Sequence, residues 1–134
     1  MHLLTIAICS ILLFFQDSLE DKLGSRVGKS RVVVVYCPKV SDIEFKLQKK
    51  WLSEVGKGIM ERDLSIIECI ESNLTVEDAL HLKERFKYSP NHFCMWLIGK
   101  DGEVKLISSK PVKPEQIFGL IDSMPMRREE MKKN

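Results

Sequence analysis

Three cysteines and one histidine hold most of the reactive potential of this sequence. Cys37 closes the apolar run Val32-Val33-Val34-Val35-Tyr36, and Cys69 and Cys94 each lie in a further apolar run. A thiol attacks or exchanges only as its thiolate, which needs a cationic neighbour or a helix N-terminus to lower its pKa. His92, two residues before Cys94, is placed to trade a proton with a thiol on the same side of an extended segment. Cys37, Cys94 and His92 are therefore the candidate catalytic residues. The competing reading is that cysteine is a small apolar side chain at home in a buried strand. His81, beside Lys83 and Glu84, reads as solvent-facing. No His/Cys pair stands at zinc-ligand spacing and no carboxylates cluster, so no metal or cofactor is expected. Gly24-Ser25-Arg26-Val27-Gly28-Lys29-Ser30 imitates a phosphate-binding loop, but its first glycine is one residue too close and a strand follows it.

The elements that must position these groups follow from periodicity. The unbroken run Val32–Tyr36 suits a central strand covered on both faces. Ser41 with Glu44 forms a capping box, and Ile43, Leu47, Trp51 and Val55 at i+4 spacing predict the buried stripe of a helix ended by Gly56 and Gly58. Leu64–Ile70 is the second strand. Thr75 reads as the N-cap of a helix reaching about Tyr88, with Val76, Leu80 and Phe86 buried. Phe93–Ile98 is the third strand, joined by a two-residue Asp101-Gly102 turn to a fourth, Val104–Ile107. Pro114 opens a last helix, carrying Ile117, Leu120 and Ile121, that stops before Pro125. The succession strand, helix, strand, helix predicts right-handed crossovers in one parallel sheet. The Met124-Pro125-Met126-Arg127-Arg128 tail predicts a docking element or a solvated helix, with Arg127 and Arg128 as candidate binding residues.

The chain has 134 residues, 44% of them hydrophobic, with 21 basic against 19 acidic side chains and a net charge of +2. One domain with a real core is expected. Basic and acidic residues interleave, so no nucleic-acid partner is expected. Met1–Phe15 is uncharged and apolar but shorter than the roughly 20 residues of a membrane-spanning helix. It reads as a signal peptide over residues 1–16, placing the chain in a secreted or periplasmic location, with no stable membrane span. Removing it takes Cys9 and leaves three thiols, enough for at most one internal bridge. Asn73-Leu74-Thr75 is a glycosylation sequon of consequence only in an exported eukaryotic chain, and the N-cap reading of Thr75 accounts for the same residues.

The Gly99-Lys100-Asp101-Gly102-Glu103-Val104-Lys105-Leu106 turn and strand, then Ile117–Met131 with its Met-Pro-Met-Arg-Arg segment, resemble domain of unknown function family 4174. The resemblance runs roughly from Arg31 to Met131. This thioredoxin-like module occurs alone in bacterial proteins and within vertebrate sushi-repeat-containing and coiled-coil-domain-containing matrix proteins. The resemblance implies an α/β, thioredoxin-like fold: a central mixed sheet in the order β-α-β-α-β-β-α with helices on both faces. That domain covers 31–124, after a linker at 17–30 and before the tail at 125–134. It also implies where redox cysteines belong, near Val40 and Ile43, and neither is cysteine; the Thr-x-x-Cys of peroxiredoxins is absent too. Cys94 falls where thioredoxins carry a cis-proline, so the topology draws Cys37, Cys69 and Cys94 to one end of the sheet. The expected function is an exported binding module for a protein or an envelope or matrix component. The alternative is a thiol-dependent, peroxiredoxin-like oxidoreductase using Cys37, alone or with Cys94.

Overall fold

The computed structural model describes residues 17–134. The leader expected over 1–16, with Cys9, lies outside the described residues. β1 (Arg31–Cys37) is central: it pairs parallel with β2 (Leu64–Ile70) and antiparallel with β3 (Cys94–Ile98), which carries β4 (Val104–Ser108) on its other side. The strand order is β2-β1-β3-β4. All seven β1 residues are buried, because successive side chains enter two different cores. Val33, Val35 and Cys37 pack with Phe45 and Leu52 of α2 (Ile43–Ser53) and Ile117 and Ile121 of α5 (Pro114–Asp122). Val32, Val34 and Tyr36 pack with Trp96 of β3 and with Leu82 and Phe86, in the π-helical continuation (Leu82–Phe86) of α4 (Val76–His81). The mixed α/β fold with helices on both faces is as expected.

Several local expectations change. The presumed linker contains α1 (Leu19–Gly24), whose Leu19 and Leu23 are buried in the second core. Ser18 caps it, accepting from the Asp21 N–H at 3.1 Å, and the Leu19 N–H donates to Asp78 Oδ1 at 2.9 Å. The buried face of α2 is Phe45, Gln48 and Leu52, while Ile43 is 81% exposed. Asp42, not Ser41, is its N-cap, and it makes no side-chain capping bond. A polar residue in that face broke the apolar pattern: Gln48 is fully buried, donating to Val112 O at 2.9 Å and accepting from Val112 N–H at 2.8 Å. This amide pair docks α2 to the segment before α5 where a strand partner is missing. Gly56 does not stop helical structure but opens α3 (Gly56–Glu61). In α4, Thr75 is the N-cap as expected, accepting from Asp78 N–H at 3.1 Å. Val76 and Leu80 are instead exposed, and Leu82 and Phe86 are buried. The β3–β4 connection is wider than two residues: Gly99 N–H donates to Glu103 O, and Gly102 takes the positive φ of 83° that favours glycine.

The tail folds as α6 (Pro125–Lys132) and is clamped at the start of β1. Arg31, 1% exposed, sends Nη2 to Glu130 Oε1 at 3.1 Å and Nη1 to the Arg62 carbonyl at 2.9 Å. Lys100 Nζ reaches Glu130 at 2.6 Å and Asp63 at 2.9 Å. Arg62 and Arg127 share Asp122, at 2.9 and 3.1 Å. A buried guanidinium is costly unless its charge is paired; Glu130 pairs the charge of Arg31, whose two terminal nitrogens are bonded while its Nε has no hydrogen-bond partner.

Two outcomes follow. Leu23→Ala is expected to cost about 2–4 kcal/mol in urea unfolding, since it opens a cavity in the second core; a solvated linker position gives no change. Hydrogen bonds from Arg62, then Arg127, hold the Asp122 carboxyl below its ordinary range against burial. Burial opposes ionisation of Glu130, but bonds from Arg31 and Lys100 outweigh it, and its pKa is lowered. Both carboxyls thus ionise more readily folded than unfolded. Their contribution is complete above about pH 5 and drains away as the pH falls through the carboxylate range below it. Urea midpoints across that range are expected to fall with acid, and Glu130→Gln is expected to flatten the fall.

Candidate functional site

The C-terminal ends of the parallel strands β1 and β2 gather the residues singled out by chemistry, and the pleat then separates them. Cys69 of β2 and Cys94 of β3 are both register partners of Tyr36, so all three side chains share one face. Cys37, the next residue, faces the other core. Cys69 and Cys94 flank β1 at two strand spacings, about 10 Å, beyond the roughly 7 Å between Cα atoms that a disulfide spans. Cys37 adjoins both strands but points the opposite way. The expected convergence therefore holds for position along the sheet and fails for side-chain direction, and all three thiols are free.

Their surroundings disfavour the thiolate. Cys37 is fully buried, and burial, then the nearby Asp42 and Glu68 carboxylates, push its thiol up to about 11. Burial and Asp78 take Cys69 to about 12 despite an opposing pull from Lys22. Cys94 is half-buried and is pushed by burial to about 11, against the effect of a backbone bond at Met95. The α2 N-terminus, which ought to stabilise an anion, presents Asp42 and exposed Ile43 in place of a thiol. Val40, in the loop before it, is 55% exposed.

His92 is exposed in the turn before β3. His81 is half-buried rather than solvent-facing, edge-on to Phe86 at 6.0 Å. Arg127, a candidate binding residue, is instead 7% exposed and engaged inward, with Nη1 also donating to Glu61 O at 3.0 Å. Arg128 on the same helix is exposed. No cis peptide occurs among the described residues, so Cys94 does not reproduce a cis-proline turn. Among the described residues no His, Cys, Asp and Glu group is suited to a metal ion, and no helix is long and apolar enough to cross a membrane.

Two features escaped sequence reasoning. The Tyr36 hydroxyl lies 2.6 Å from Glu71 Oε2 and 2.7 Å from the Pro90 carbonyl, sharing one hydrogen between two acceptors. Burial and the Glu71 carboxylate raise its pKa, and Tyr88 packs on it edge-to-face at 4.7 Å. This ties the β2–α4 and α4–β3 loops at the site end. A cleft of about 290 Å³ also runs between α2 and the open edge of β2, floored by Val35, Phe45, Leu52 and Ile66 with Lys49 and Glu68 3.5 Å apart at its mouth. It was invisible while α2 was read with Ile43 buried.

This architecture is of the thioredoxin class. The reduced 2-Cys peroxiredoxin of Plasmodium vivax superposes with a TM-score of 0.61 at 12% identity, over 80% of this chain and 84% of that one. The reduced desulfothioredoxin of Desulfovibrio vulgaris Hildenborough gives 0.54 at 16%, over 84% and 94%. At such identities the likeness concerns the fold alone. Residues 22–130 match the model of the domain of unknown function DUF4174, and the chain belongs to that family. Coiled-coil domain-containing protein 80 of Danio rerio is 45% identical over 138 residues, covering 85% of this chain and 16% of the relative. Sushi repeat-containing protein SRPX2 of Mus musculus is 28% identical over 126 residues, covering 86% and 27%. The chain thus spans well under a third of the length of these curated relatives.

Thiol labelling checks the geometry. At neutral pH, Cys37 is expected to react roughly a hundredfold or more slowly than a free thiol, from its lower thiolate fraction alone. Mass-mapped alkylation should find Cys94 modified first, and Cys37 and Cys69 only after urea is added.

Proposed function

We propose that this chain is an exported thioredoxin-fold binding module that recognises a protein or an envelope or matrix component and performs no thiol chemistry of its own. The observation that carries this reading lies at and just before the α2 N-terminus: the two positions where the resemblance implies redox cysteines bear Val40 at 55% and Ile43 at 81% exposure. Apolar side chains held out to water on a rigid frame fit association better than catalysis. The three shielded, high-pKa thiols support the same reading. Export is supported by the apolar Met1–Phe15 run and by the family resemblance to matrix proteins.

The second reading, a peroxiredoxin-like oxidoreductase using Cys37, draws on the fold likeness and on Cys37 ending the central strand. The two separate cleanly by assay. Peroxide consumption and dithiol exchange are expected to stay at the rate of the buffer; turnover abolished by Cys37→Ser reverses the conclusion. For binding, Val40→Glu with Ile43→Glu is expected to weaken retention of a matrix extract's bound component by tenfold or more. That follows from about 1.5–3 kcal/mol for each aliphatic side chain buried on association. Arg128→Glu serves as the comparison on the remote helix.

A further inference from the structure

Asn73 is the one asparagine in the chain followed by any residue and then Ser or Thr. It closes the short 3-10 turn Glu71–Asn73 between β2 and α4. Asn73 and Thr75 are exposed, while Leu74 between them packs against the second core. The turn is therefore anchored by its middle residue and presents the two residues that an N-glycan acceptor requires. The expectation that capping accounts for the whole sequon holds only for Thr75, whose hydroxyl accepts from the Asp78 N–H; the exposed Asn73 takes no part in the cap.

We propose that Asn73 is an acceptor for an N-linked oligosaccharide, an inference that rests on the export reading above. The co-reactant is a lipid-diphosphate-linked oligosaccharide. The Asn73 carboxamide nitrogen forms a bond to the anomeric carbon of the first sugar, the bond from that carbon to the diphosphate oxygen breaks, and the lipid diphosphate leaves. One amide proton is released, and no electrons are exchanged with an oxidant or reductant. Because the folded Thr75 hydroxyl is engaged by Asp78, transfer takes place on the nascent chain before α4 is set. The glycan then stands at the polar cleft lined by Lys22, Glu68, Cys69 and Asp78. That cleft is on the α1–α4 side of the sheet, whereas Ile43 belongs to α2 on the other side. The sugar thus stands away from Ile43, on the side where α4 exposes Val76 and Leu80.

The test uses the full chain produced in cultured vertebrate cells, once with its own N-terminus and once behind a heterologous leader. Protein from the medium is expected to migrate slowly and to shift down on treatment with an N-glycan-cleaving glycosidase. Asn73→Gln should run at the shifted position without treatment. Thr75→Ser, which keeps both sequon and cap, should retain the sugar. Thr75→Asp, which keeps a capping side chain but destroys the sequon, should lose the sugar while remaining folded. Secreted protein with no glycosidase-sensitive mass behind the heterologous leader overturns the assignment, as does a shift that survives Asn73→Gln. If the native chain stays inside the cell while the leader-fused chain is glycosylated, the export reading fails and the acceptor assignment stands.

Discussion

The alternation of side chains along β1 governs the rest of the molecule. Sealed on both faces, the strand sends Val33, Val35 and Cys37 into one core and Val32, Val34 and Tyr36 into the other. A slip of one residue exchanges every assignment at once, so the register with β2 and β3 is strongly held. That register puts Tyr36 between Cys69 and Cys94 and turns Cys37 away from both. Parity along β1 keeps Cys37 from the other two thiols, and the width of β1 itself keeps Cys69 from Cys94.

The two ends of the sheet carry opposite characters. Where the parallel strands begin, Arg31, Lys100, Arg62 and Arg127 interlock with Glu130, Asp63 and Asp122. Where they end, aliphatic groups face water, and a phenol and a carboxylate tie loops together. Interlocked charges give one end a fixed geometry that depends on every partner, since removing one strands the others.

The four strands were legible in the sequence because β-branched runs between turn residues have few other readings, whereas the antiparallel run of β3 beside β1 has no signature in those runs. Helix faces were not legible. In α2 the buried set includes Gln48, a polar residue whose partner Val112 lies 64 positions away, so a search for apolar spacing chose Ile43, Leu47 and Trp51 instead. In α4 Phe86 is buried as expected, but its buried partner one turn earlier is Leu82 rather than Leu80, across the wider π-helical turn Leu82–Phe86. The segment before β1 has the composition of a linker because only Leu19 and Leu23 among its polar neighbours point inward. The site's location at the strand ends was readable from topology. The direction of each thiol depended on inter-strand register, and Arg127 was mistaken for a surface group because its partners Glu61 and Asp122 are remote or lie across a helix break.

The clamp on α6 has a consequence for how such a module is mounted. Glu130 of that helix is tied to Arg31 at the first residue of β1, so any polypeptide continuing past Lys132 starts from the end of the sheet opposite the one that carries Ile43, and a neighbouring domain attached there leaves the strand ends uncovered.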